Sequence, residues 1–156
     1  MKKIIVVSDS HGNRQALDSL NTIFAESDLI IHLGDTSSDG GYIRKIYPDK
    51  TVVINGNCDI MSVGEKEKIL TVEGVNIFCC HGHMYSVKST LARLAKRAKE
   101  LDCKIALYGH THDALESEID GITLLNPGTL SRYSQKSYAY IVINGDKFTQ
   151  KIVRIN

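Results

Sequence analysis

The chain has 156 residues, with 19 Lys and Arg against 18 Asp and Glu and a formal net charge of +1. That near-balance excludes a broad electrostatic footprint for nucleic acid or an anionic membrane surface, and 6% aromatics without Trp argue against a base-stacking platform. The length fits a single domain over residues 1–156 with a sizeable core.

In chain order, MKKIIVVSD opens with two lysines and a short apolar run. The run IIVV is too short for an export signal, so a first buried strand ending at Asp9 is expected. In RQALDSLNTIFAES, residues Ala16, Leu17, Leu20, Ile23 and Phe24 recur at helical spacing, and Asn13 is placed to cap that helix. DLIIHLGD reads as a second strand. A Gly- and Ser-rich loop and a short helix at about Tyr42–Ile46 follow, then KTVVINGNCD as a third strand and turn. The first third is therefore β-α-β-α-β, a parallel arrangement under the right-handed crossover rule.

The second half changes style. KEKILTVEGVNIFCCHGH reads as a hairpin about Glu73-Gly74 whose return strand ends at His81. VKSTLARLAKRAKELD is the longest helical pattern, with Leu91, Leu94, Ala95, Ala98 and Leu101 on one face and basic residues opposite. KIALYGHTH is another strand running into a turn. GITLLNPGT, SYAYIVING and KFTQKIVRIN read as antiparallel strands, the last two joined around Asn144-Gly145. The expected class is α/β, with two facing mixed sheets and helices outside. No apolar segment approaches the ~20 residues that span a bilayer. Cys58, Cys79, Cys80 and Cys103 form no C-x-x-C pair. Adjacent Cys79 and Cys80 point to opposite faces of a strand, and reduced thiols in the cytoplasm are expected.

Five apolar strands each end in a polar cluster rich in metal-ligand types: Asp9-Ser10-His11, Gly34-Asp35, Gly56-Asn57-Cys58-Asp59, His81-Gly82-His83 and Gly109-His110-Thr111-His112. Sites in α/β sheets form beyond the carboxyl ends of strands, so the five endings converge. Singly, each has an ordinary explanation as a cap, a turn or a hydrogen-bonded histidine. Alternation along a strand would put His110 and His112 on one face. Together the clusters specify a site.

In that order, the clusters resemble the calcineurin-like metallophosphoesterases, whose pattern is D-x-H, G-D, G-N-H-[DE], H and G-H-x-H. The compact length, the Gly56-Asn57-Cys58-Asp59 variant and Asn126-Pro127-Gly128-Thr129 are similar to the small YfcE-like prokaryotic phosphodiesterase branch. The resemblance implies a four-layer α/β/β/α sandwich of two mixed sheets. It also implies two divalent transition-metal ions, with Asp9, His11 and His112 on the first, Asn57, His81 and His110 on the second, and Asp35 bridging. Imidazole and carboxylate donors suit Mn, Fe, Co, Ni or Zn, with Mn the first choice. The implied activity is phosphoester hydrolysis by a bridging hydroxide, on small phosphodiesters ahead of monoesters, and the balanced charge disfavours a nucleic-acid polymer as substrate. A homo-oligomer is compatible with the sequence.

Cys58 stands where the family has a histidine that is commonly assigned to the leaving group or to phosphate. A thiol is a weaker acid and donor. Either the chemistry is slower and favours good leaving groups, or His83 takes over. Asp59 is expected to orient a neighbour, His32 to be a satisfied core histidine, and Asn126 to support the site floor. Asp39 does not match the family's spacing and receives no role. The superfamily also includes a scaffold, the small retromer subunit, so a weakly catalytic protein-interaction module is the alternative function.

Overall fold

The computed structural model describes residues 1–60 and 63–156. Strand β1 (Lys2–Val7) leads through helices α1 (Arg14–Ser19) and α2 (Asn21–Glu26) to β2 (Leu29–His32), then through α3 (Ser37–Ile46) to β3 (Thr51–Val53). The hairpin β4 (Glu67–Val72) and β5 (Val75–Cys80) follows. A 3-10 turn and helix α4 (Ala92–Glu100) lead to β6 (Ile105–Leu107), β7 (Leu115–Ile119), β8 (Ile122–Asn126), β9 (Lys136–Asn144) and β10 (Lys147–Ile155). One five-stranded sheet has the order β10-β9-β1-β2-β3 and the other β4-β5-β6-β8-β7. Both are mixed: β1, β2 and β3 are parallel, as are β5, β6 and β8, while β9 pairs antiparallel with β1 and β10, β4 with β5, and β7 with β8.

Strand alternation builds the layers. Ile4 and Val6 of β1 join Ile31, Ile77, Cys79, Leu107 and Ile141 in a core between the two sheets. The intervening Ile5 and Val7 pack with Leu17, Leu20, Phe24 and Ile43 of α1–α3. On the far side, Phe78, Cys80 and Ala106 pack with Leu94, Ala95 and Ala98 of α4. Adjacent Cys79 and Cys80 therefore belong to different cores, and the architecture is the four-layer α/β/β/α sandwich.

Several local boundaries differ from the sequence reading. The first helix is split in two at Leu20. The short helix after β2 begins at Ser37 rather than Tyr42. Its Gly40 lies so close to β3 that a Cβ there would meet Val53 Cγ1 at 2.6 Å, so the glycines that suggested a loop serve helix–strand packing. Helix α4 starts only at Ala92, after a turn that begins at Ser86. Strand β7 has exposed polar residues and no apolar alternation, and it was missed. Strand β8 pairs antiparallel with β7 but parallel with β6.

Candidate metal centre

The predicted residues follow the carboxyl ends of β1, β2, β3, β5 and β6. Asp9, His11 and His112 form one group; Asp35, His81 and His110 form a second. Within each group the donor atoms all lie within 4.8 Å of one another. Among the described residues, nine non-glycine positions have positive φ, and five of them are Asp9, His11, Asp35, His110 and His112. Left-handed backbone is unfavourable for residues with a Cβ and persists where surrounding structure holds it. His110 and His112 lie beyond β6 in such a turn, with φ of 70° and 65°. They are therefore not related by strand alternation, and each falls into a different group.

The carboxylate of Asp9 is divided in use. Its Oδ2 accepts from Ser8 Oγ at 2.6 Å and from the His110 N–H at 3.0 Å. Its Oδ1 is buried and accepts no hydrogen bond. That oxygen lies 3.2 Å from His112 Nε2 and 3.9 Å from both His11 Nε2 and His81 Nε2. His81 Nδ1 donates to the Leu33 carbonyl at 2.8 Å. This contact crosses between the sheets and turns the Nε2 lone pair inward, where it is buried and unpartnered. His81 Nε2 also lies 3.4 Å from Asp35 Oδ2. Lone pairs facing lone pairs at such distances, in a buried place, call for a cation, and oxygen and imidazole donors suit a divalent transition metal.

The local electrostatics agree. Burial works against an ionised Asp35, but the His81 imidazole and the Cys58 N–H outweigh it and hold its carboxyl below the usual range. Burial likewise disfavours protonated His81, yet the carboxylates of Asp35 and Asp9 raise its pKa. His83 and His110 are lowered, first by burial and then by His81.

Residues 1–147 match the family model described as the calcineurin-like phosphoesterase superfamily domain. The chain belongs to this superfamily. It is similar to "Probable metallophosphoesterase YsnB" of Bacillus subtilis, with 33% identity over 150 residues, 94% of this chain and 87% of that protein. The "Phosphodiesterase YfcE" of Escherichia coli is 25% identical over 159 residues, covering 84% of this chain and 80% of that protein. Among solved structures, a conserved protein of Streptococcus pneumoniae, described as a phosphoesterase on prediction, superposes with TM-score 0.80 and 26% identity. The match covers 98% of this chain and 89% of that one. Zinc-complexed Vps29 of Entamoeba histolytica shares the fold, with TM-score 0.78 at 22% identity and 98% of both chains covered. Superfamily membership supports a metallophosphoesterase, a hydrolase of phosphoric esters.

Other predicted residues surround the two groups of this metallophosphoesterase. Asn57 is exposed, and its Nδ2 contacts Cys58 Sγ at 3.7 Å. Cys58 gives its N–H to Asp35 Oδ1 at 3.0 Å, and its thiol turns onto the same carboxylate, which raises its pKa. Asp59 orients backbone: Oδ2 accepts from the N–H groups of Asp35 and Gly56, and Oδ1 from that of Ser37. Both oxygens are thus engaged away from any reacting group. His83 is exposed at the rim, its ring centroid 5.6 Å from His81 and 6.1 Å from His110. Asn126 donates to the Gly109 carbonyl and to Thr111 Oγ1, bracing the turn that carries His110 and His112.

Sequence reasoning missed Asp39. Its Oδ2 accepts from Ser10 Oγ at 2.6 Å and from the Gly12 N–H at 2.8 Å, clamping the loop on both sides of His11. His32 lies beneath it. The Gly34 N–H donates to His32 Nδ1 at 3.1 Å, so Nε2 carries the proton and donates to Ser10 Oγ at 2.8 Å. Ser8 and Thr129, which hold Asp9 by its Oδ2 and its carbonyl, were also missed. Their only signal was adjacency to a ligand or to the Asn-Pro-Gly turn.

Proposed function

We propose that this metallophosphoesterase uses a dinuclear centre to hydrolyse phosphodiesters. The observation that carries the reading is the pair of unpartnered buried atoms, Asp9 Oδ1 and His81 Nε2, set among the two three-residue groups. In this reading Asp9, His11 and His112 hold one ion, and His81, His110 and Asn57 the other, with Asp35 between them. When bound, two divalent ions would supply an activated water, in-line orientation and stabilisation of the leaving oxygen. Their charge of +4 against the carboxylates of Asp9 and Asp35 leaves the centre cationic, which attracts an anionic ester without a basic surface.

The protein's own groups do the positioning. Leu33 fixes the His81 tautomer, and the Asp9 carboxylate holds the His110 N–H, so ligand directions are set before substrate arrives. His83, exposed at the rim with its ring centroid 5.6 Å from that of His81, stands where it can hydrogen-bond a phosphoryl oxygen. The Cys58 thiol is a weaker acid and a poorer donor than the histidine it replaces, which favours esters with stable leaving groups.

The test is metal analysis of purified protein with hydrolysis of bis(p-nitrophenyl) phosphate. Metal-dependent turnover that is lost in Asp35→Asn and His110→Ala, with the fold retained, is expected. Unchanged turnover in both variants overturns the reading. The scaffold alternative draws on Cys58 in the histidine's place and on the shared fold of Vps29. Two bound metals without turnover on any phosphoester would favour it.

A further inference from the structure

One polar cavity of ≈ 280 Å³ opens directly beside His112 and runs to Arg154, with Asp113, Ser134 and Gln135 along its wall. Arg154 projects from β10, paired in register with Ser137. Ser137 is buried and anchored by its Oγ to the Pro127 carbonyl at 2.6 Å, so the guanidinium rises from a fixed point. Among the described residues Arg154 enters no ion pair, even though Asp113 lines the same cavity. An arginine and a carboxylate that share a polar cavity without pairing present one fork for an anion and one acceptor for hydroxyl groups. A guanidinium is suited to a phosphate in two-pronged contact. The cavity begins at a candidate metal ligand, so it gives room to one arm of an ester bound at the centre.

We infer that this cavity is the subsite for one ester arm of the substrate, and that the arm is a phosphorylated polyol or sugar: its phosphate on Arg154, its hydroxyls facing Asp113. The inference rests on the phosphoesterase reading above and narrows its substrate class. The centre then takes one phosphoryl group and Arg154 a second, and ligands with two phosphates on one sugar bind more tightly than those with one.

The test uses the Mn-loaded protein and compares adenosine 3′,5′-bisphosphate with adenosine 5′-monophosphate as inhibitors of bis(p-nitrophenyl) phosphate hydrolysis. The bisphosphate should inhibit at least tenfold better. Arg154→Gln should bring the ratio of the two inhibition constants close to one, and Arg154→Lys should restore part of it. Lys151→Gln, on the same exposed strand but outside the cavity, should keep the wild-type ratio. Equal inhibition in the wild type, or an unaltered ratio in Arg154→Gln, overturns the subsite. If no phosphoester is hydrolysed, the catalytic reading fails separately, and the same ratio is then read as dissociation constants by calorimetry.

Discussion

Asp9 Oδ1 and His81 Nε2 face each other at 3.9 Å across the two ligand groups, both buried and both without a hydrogen bond. Buried polar atoms left without a partner cost free energy, so the apoprotein is expected to be less stable than its metal complex. At a hundredfold excess over Kd, binding stabilises by about 2.7 kcal/mol, or a Tm increase of about 5–10 °C for a chain of this size. Thermal unfolding with Mn and with chelator checks this. Asp9→Asn keeps an acceptor for Ser8 and the His110 N–H. It should therefore hold or raise the chelated Tm while losing the metal-induced shift.

Asp39 touches neither ligand group's donor atoms, yet it grips Ser10 and Gly12 on either side of His11. Hydrogen bonds to a charged group contribute about 1.5–3 kcal/mol each. Asp39→Ala should destabilise the fold by about 2–4 kcal/mol, given two such bonds and partial relaxation. It should also weaken the Asp9–His11–His112 group more than the other. Metal stoichiometry against free metal concentration would then become biphasic; a uniform loss of both ions would disprove the local role.

His32 gives a pH dependence with a defined sign. Burial lowers its pKa, partly opposed by Asp39 and Asp9. The unfolded chain gains a proton at His32 as pH falls below about 6.5, while the folded chain resists it, so stability decreases from that point towards its lower folded-state value. His81 shifts the opposite way, so the contribution is isolated by difference. In chelator, urea unfolding from pH 5 to 7.5 should show a flatter acid-side slope in His32→Asn than in wild type.

Gly109 sits against the first carboxylate, and a Cβ there would collide with Ser8 Oγ and lie 2.6 Å from Asp9 Oδ2. Gly109→Ala should cost about 1–3 kcal/mol through overpacking and sharply reduce metal binding. Gly121→Ala, in the open β7–β8 turn where nothing lies within 4 Å, should pay only backbone strain and bind metal normally. Chemical denaturation and metal titration separate the two.

Cys58→His restores the family's histidine at the rim. A positioned acid typically contributes 10²–10⁴-fold, and an introduced one less. A gain of about tenfold or more is expected for diesters with poor leaving groups and little for p-nitrophenyl esters. A leaving-group series measures the difference as a change of slope.

The candidate site was legible because metal chemistry restricts residue types, and the five strand endings repeat one local pattern of apolar run followed by donors. The two facing mixed sheets with helices outside were legible in the order of strand and helix patterns, and the four layers followed from the family resemblance. The supports were not. Asp39 reaches Ser10 across 29 positions of sequence, and His81 finds the Leu33 carbonyl across 48; nothing in the spacing announces such contacts. Strand β7 carries LESEI on an exposed edge, where pairing with β8 rather than burial holds it extended. Nothing in the sequence singles out Arg154; the fold places it and His112 on the walls of one cavity.

The left-handed backbone at Asp9, His11, Asp35, His110 and His112 also bears on how such chains diverge. Glycine at these positions relieves roughly 1–2 kcal/mol of torsional strain each, and asparagine tolerates the conformation better than histidine does. A lineage that stops using its metals therefore gains stability by losing these side chains first. The five side chains are thus held against a torsional cost, and Gly in their place should stabilise the metal-free protein.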